Sequence, residues 1–122
     1  MAGPVHLFAE VRMLPESVPS VPAHEVPADA HVLDVREPDE WEAGHIDGAL
    51  HIPLAEVPAR LGELVEQDDL LVVCRSGGRS GRAVAWLRQN GVDAINVAGG
   101  MGAWATAGRP MVSETGADPF VR

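Results

Sequence analysis

The sequence has no lysine. All nine of its basic residues are arginine, set against 18 aspartates and glutamates for a formal net charge of −9. That absence excludes a Walker-type phosphate loop, a Schiff-base lysine and a Ser-Lys dyad. The acid excess argues against a general surface for nucleic acid or for anionic membrane. No run of about 18 apolar residues occurs, so no membrane span is expected. The opening residues, MAGPVHLFAEVR, lack a basic stretch followed by an apolar one, so no secretory signal is expected. There is one cysteine, Cys74. It has no partner for an internal disulfide, which points to a reducing, cytoplasmic setting. Apart from His45, the histidines have no cysteine or carboxylate at ligand spacing, so no metal site is expected.

What is present suits one soluble domain. The chain has 122 residues, 46% apolar and 22% charged, enough for a single modest core. Five of the ten prolines fall within residues 1–30, which predicts an irregular lead-in with one short edge strand near 18–24. From residue 31 the pattern tightens. HVLDV (31–35) reads as a strand. PDEWEAG (38–44) reads as a short helix, with Pro first, acids in the first turn and Gly at the end. ALHI (49–52) suits a strand, and AEVPARLGELVEQ (55–67) a helix interrupted or started at Pro58.

LLVVC (70–74) is the strongest strand, a continuous apolar run suited to burial on both faces. Ala83, Val84, Trp86 and Leu87 follow at helical spacing, with Asn90-Gly91 as the stop. DAINVAGG (93–100) predicts a strand and turn, MGAWATAG (101–108) a short helix, and the last residues a polar tail. Alternation of this kind predicts an α/β fold, a mostly parallel central sheet with helices on both faces.

The single thiol stands at the entrance to a basic segment. LVVCRSGGRSGRAVAWLRQN (71–90) holds Arg75, Arg79, Arg82 and Arg88 and no acid. In open α/β sheets ligands bind at the carboxyl ends of strands, where Cys74 is expected. Gly77 and Gly78 allow successive N–H groups to converge on one point. The helix that follows adds the positive end of its dipole. Arg75 and Arg79 flank the pocket. Every one of these favours an anion, and a thiolate is the nearest. The alternative is an inert buried thiol; the Gly-Gly pair and the two arginines weigh against it.

CRSGGRS (74–80) resembles the active-site loop of the rhodanese family of sulfurtransferases. LDVREPDEWEAGHIDGALHIP (33–53) is similar to that family's N-terminal signature, and VAGGMGAW (97–104) to its C-terminal one. The resemblance implies a rhodanese domain over residues 18–112, with an N-terminal arm at 1–17 and a C-terminal tail at 113–122. It implies a Cys74 persulfide, with Arg75, Ser76, Gly77, Gly78 and Arg79 binding the substrate. Asp34, Arg36 and His45 would brace the site and no metal or organic cofactor would be required, although His45, between Gly44 and Ile46, also suits a general base.

Phosphatases and arsenate reductases of the same fold carry five residues between Cys and Arg. Here Arg75, Ser76, Gly77 and Gly78 make four before Arg79, a tighter ring that favours sulfur over a tetrahedral oxyanion. A relay-type arsenate reductase also wants a second thiol. The expected partners are a small anionic sulfur donor such as thiosulfate and a cyanide or thiol acceptor, the latter free or on a protein. A sulfur-relay or regulatory interaction module with little thiosulfate turnover is the other reading. Trp41, Trp86 and Trp104 are expected in packing. Ser76 and Ser80 either donate to the bound sulfur or cap the next helix, with the cap the simpler expectation.

Overall fold

Strand β5 (Leu70–Val73) runs through the middle of the molecule, and all four of its residues are buried. Leu70, Val72 and the following Cys74 face one hydrophobic cluster, while Leu71 and Val73 face a second. A strand with apolar side chains on both faces suits the interior of a parallel sheet. In this computed structural model, which describes residues 12–13 and 18–122, that sheet has six strands. They are β1 (Arg12–Met13), β2 (Pro19–Pro22), β3 (Val32–Asp34), β4 (Leu50–His51), β5 and β6 (Ala94–Ala98), in the order β1-β2-β6-β5-β3-β4. β2, β6, β5, β3 and β4 pair in parallel, and β1 joins β2 antiparallel.

Helices cover both faces, as the α/β alternation predicts. On one face α2 (Gly78–Gln89) lays Ala83, Val84 and Leu87 over Leu33, Leu70 and Val72. On the other, α3 (Gly100–Thr106) places Met101 and Trp104 against Val21, Leu71, Ile95 and Val97. α1 (Pro38–Ala43) follows β3 directly. No helix among the described residues is long and apolar enough to cross a membrane.

Two expectations are revised. The segment at 55–67 forms no α-helix; it makes 3-10 turns at Leu54–Glu56 and Pro58–Glu63. Pro58 withholds a backbone donor inside the segment, and Arg60 departs from helical angles. β2 is not an edge strand, since β1 lies on one side and β6 on the other. The remainder of the N-terminal arm lies outside the described residues. The segment after Val112 is polar but folded back. His45 and Val112 exchange two backbone hydrogen bonds of 2.8 Å, the Glu114 N–H donates to Glu42 and the Phe120 N–H to Ala43.

One close approach fixes the start of the loop after β5. The Met101 N–H donates to the Cys74 carbonyl at 2.8 Å and the Gly102 N–H to the Arg75 carbonyl at 2.9 Å. This brings Gly100, at φ +58°, so near that a Cβ would lie 2.4 Å from the Cys74 oxygen. Only glycine fits, both for the angle and for the space. Gly100→Ala is therefore expected to destabilise the fold by about 2 kcal/mol or more. Gly62→Ala, which meets nothing within 4 Å, should shift stability by no more than about 0.5 kcal/mol. Urea unfolding of the two variants checks both.

Candidate active site

Cys74 directly follows β5, at the floor of a loop whose rim is exposed at Arg75, Ser76 and Gly78. A trans peptide points its carbonyl and the next N–H in opposite directions. Because α3 takes the carbonyls of Cys74 and Arg75, the N–H groups of Arg75 and Ser76 are turned away from α3. Gly77 then adopts φ +112°, a left-handed conformation that ends the turn and caps α2. Its N–H donates to the Cys74 sulfur at 3.0 Å. The loop thus presents backbone donors inward and carbonyls outward.

The side chain of Ser80, fully buried in the first turn of α2, lies 3.2 Å from the same sulfur. No side-chain cap bond is made at the start of α2, so Ser80 contacts the sulfur and does not cap the helix. Burial pushes the Cys74 thiol up. The Ser80 hydroxyl and the backbone N–H groups of Ser80, Gly77 and Ser76 pull it down, and together they outweigh burial, leaving the thiol below its ordinary value. That is the direction a nucleophilic sulfur needs.

The two flanking arginines differ. Arg75 is exposed, and its guanidinium lies over Gly102 of α3, 3.3 Å from where a Cβ would stand. It has no ion-pair partner among the described residues. Arg79 is held by Glu40 of α1 through two parallel bonds, Nη1 to Oε1 at 2.8 Å and Nη2 to Oε2 at 2.9 Å. Glu40 also accepts the Glu37 N–H at 2.9 Å, so one carboxylate both starts α1 and fixes Arg79. These bonds hold the Glu40 carboxyl down at about 2, and the carboxylate raises Arg79 in turn. Nothing local in the sequence marks Glu40; its partner is 39 positions away.

Asp34 and Arg36 form a fully buried pair at the end of β3. Arg36 Nε and Nη2 bond the two carboxylate oxygens at 2.9 and 2.7 Å, and Nη2 also donates to the Gly44 carbonyl at 2.8 Å. The pair therefore ties β3 to the end of α1. Arg36 Nη1 is buried with no partner among the described residues.

His45 is committed elsewhere. Its Nδ1–H donates to the Trp41 carbonyl at 2.7 Å, its ring stacks on Trp41 at 3.5 Å, and Nε2 lies 3.3 Å from Glu114. His45 thus sits between the Trp41 turn and the folded-back segment. His51 stacks on the same indole at 4.8 Å. A cavity of about 330 Å³ beside Trp104, Arg109 and Met111 includes no residue of the Cys74 loop.

The Glu40–Arg79 pair should also be visible in stability. A carboxyl depressed from 4.5 to about 2 on folding stabilises the protein above pH 4.5, and that contribution is lost as the pH falls towards 2. Glu40→Gln is expected to cost about 1–3 kcal/mol at pH 7, with the difference from the parent narrowing between pH 4.5 and pH 2. Urea titrations at several pH values measure it; a gap independent of pH would contradict the assignment.

Comparison with known proteins agrees with this geometry. Residues 23–107 match the family model described as Rhodanese-like domain. The chain is 39% identical over 89 residues to a protein named sulfurtransferase from Allochromatium vinosum, covering 72% of this chain and 83% of that one. It is 45% identical over 75 residues to the putative sulfur carrier protein YrkF of Bacillus subtilis. That alignment covers 61% of this chain but 40% of the carrier, so the chain spans less than half of that relative's length. A crystal structure of a rhodanese-related protein from Thermoplasma volcanium matches with a TM-score of 0.72 at 34% identity, over 76% of this chain and 96% of that one. Fold, loop and alignment lead to one conclusion: the chain belongs to the rhodanese-like domain family of sulfurtransferases and sulfur carriers.

Proposed function

We propose that this protein transfers sulfane sulfur from a small anionic donor, with thiosulfate as the simplest case, to a thiol or cyanide through a persulfide on Cys74. The observation that carries the reading is the sulfur's surroundings: a Gly77 N–H at 3.0 Å and a Ser80 hydroxyl at 3.2 Å. In the first half-reaction the Cys74 thiolate attacks the outer sulfur of thiosulfate. A new S–S bond forms to Cys74, the S–S bond of thiosulfate breaks, and sulfite leaves with the electron pair. In the second, the acceptor attacks the terminal sulfur and Cys74 departs as the thiolate. The two steps balance without an added oxidant or reductant and give ping-pong kinetics.

The parts of the loop divide the work. Backbone N–H groups of residues 75–79 cradle the terminal sulfur, whose charge they stabilise without reorganising. Arg75, exposed and without an ion-pair partner among the described residues, receives the anionic donor and the departing sulfite. Arg79, already bound by Glu40, fixes the far side of the loop and contributes positive potential at the sulfur. Asp34, Arg36 and His45 hold the walls. Cys74 is the only thiol in the sequence, so the persulfide is discharged to another molecule, in keeping with a reducing, cytoplasmic setting.

A relay role, in which the acceptor is a protein thiol and thiosulfate turnover is slow, draws support from the 45% identity to a putative sulfur carrier. Turnover separates the two. A relay loads and unloads stoichiometrically onto a protein thiol but cycles slowly with thiosulfate and cyanide.

Intact mass after incubation with thiosulfate should rise by one sulfur atom, and cyanide should remove it. Cys74→Ser should gain nothing; an adduct on that variant would sink the assignment. Arg75→Ala is expected to raise the thiosulfate KM about tenfold, the equivalent of one charge-assisted contact. An unchanged KM would remove Arg75 from the donor site.

A further inference from the structure

Ser80 has one hydroxyl proton and two acceptors. The Cys74 sulfur lies 3.2 Å from its oxygen and the side-chain Oδ1 of Asn96 lies 2.6 Å from it. Both Ser80 and Asn96 are buried, so water does not settle the competition. Asn96 is the one polar side chain in β6, AINVA, a strand otherwise apolar. It sits level with Val72 of β5, two residues before the cysteine. Its amide Nδ2 faces the Gly77 carbonyl at a long 3.4 Å. Asn96 therefore reaches, from behind the loop, both residues seen to donate to the sulfur.

The orientation of the amide follows from these neighbours. With Oδ1 towards Ser80, Nδ2 meets the Gly77 carbonyl, donor to acceptor. The reverse would set Oδ1 against that carbonyl, two acceptors face to face. In the favoured orientation the Ser80 proton goes either to Asn96 or to the sulfur, and the charge on the sulfur decides which. A thiolate is a charged acceptor and attracts the proton strongly. A neutral thiol is a weak acceptor, and so is the inner sulfur of a persulfide, whose charge has moved outward.

We infer that Asn96 is a positioning residue for sulfur transfer: its Oδ1 competes with the Cys74 sulfur for the single Ser80 proton, holding it while the sulfur is neutral or loaded. The inference rests on the reading of Cys74 as the sulfur-bearing group. When the sulfur becomes a thiolate the hydroxyl turns to it, and the Ser80 oxygen is left facing Oδ1 without a proton between them. Asn96 thus makes the thiolate harder to form and the loaded state easier to keep, because it leaves no buried hydroxyl without an acceptor.

Among the described residues no other titratable group shares this position. Charge near the sulfur comes from Arg75 on the loop, from Arg79 of α2 with its partner Glu40 of α1, and from the Asp34–Arg36 pair at the end of β3. β6 and α3 carry no titratable residue.

The test replaces Asn96 with leucine, which keeps the branched shape but offers no acceptor. The probe is the rate of Cys74 alkylation by iodoacetamide against pH, which needs no sulfur donor. Asn96→Leu should lower the Cys74 pKa by about 0.5–1 unit, roughly a threefold to tenfold rise in the thiolate-to-thiol ratio. In the Ser80→Ala background the same substitution should leave the pKa where Ser80→Ala alone put it. Asn96→Ala, with the same loss of acceptor and less bulk, should repeat the result if the leucine variant does not fold. An unchanged pKa, or an equal shift with and without Ser80, overturns the inference. A raised pKa also overturns it, because the amide would then be donating Nδ2 to Ser80 and holding its proton on the sulfur. The lowered pKa with no sulfur uptake from thiosulfate by the unmodified protein would uphold the proton competition and sink the proposed donor instead.

Discussion

The direction of two carbonyl groups governs the rest of the site. Once α3 has bound the oxygens of Cys74 and Arg75, the planarity of the peptide unit leaves the following N–H groups no choice but to face the other way. The loop then collects donors on one side, the side where the sulfur lies. This orientation comes from backbone geometry and from the absence of a side chain at Gly100, where a Cβ would come within 2.4–2.7 Å of the carbonyl groups it crosses. The Gly-Gly pair that opens α3 is in this sense part of the site, although no atom of it need touch a substrate.

The charges follow the same economy. The protein has an excess of acid, yet Glu40, which reaches the loop, is engaged by Arg79. Arg36 is likewise spent on Asp34, deep below the surface. What remains open at the rim is Arg75. Two of the three cations around the loop thus serve to fix backbone and neighbouring elements. The third is left for an incoming anion. Buried or half-buried pairs of this kind lose little strength to salt compared with exposed ones, so the frame of the site is less sensitive to ionic strength than its mouth.

Much of this was legible in the sequence because it is local. The buried strand LLVVC, the glycines after it and the helical spacing of Ala83, Val84 and Leu87 all lie within about twenty positions of one another, and each maps to an element at the expected place. The roles of Glu40 and Asn96 were not legible. Their partners lie 39 and 16 positions away, and only the parallel pairing of β5 with β6 and the placement of α1 bring them to the loop. Ser80 looked like a cap because serine at the start of a helix commonly is one. Gly77 occupies that place, which freed the hydroxyl for the sulfur. The 55–67 segment failed as a helix for a different reason: its apolar spacing was adequate, but Pro58 withdrew a backbone donor and Arg60 left the helical angles that spacing presupposes.

The folded-back segment after Val112 gives the site a mechanical link to a distant stretch of chain. It is stitched by backbone bonds to Glu42, Ala43 and His45, and Arg122 grips Asp39 at 3.0 Å. Asp39 adjoins Glu40, and Glu40 is the hand that holds Arg79. The segment, α1 and the Arg79 guanidinium are thus joined by one continuous run of bonds. Removing the segment would strip α1 and the turn after it of these bonds while leaving both contacts of the thiol, from Gly77 and Ser80, in place.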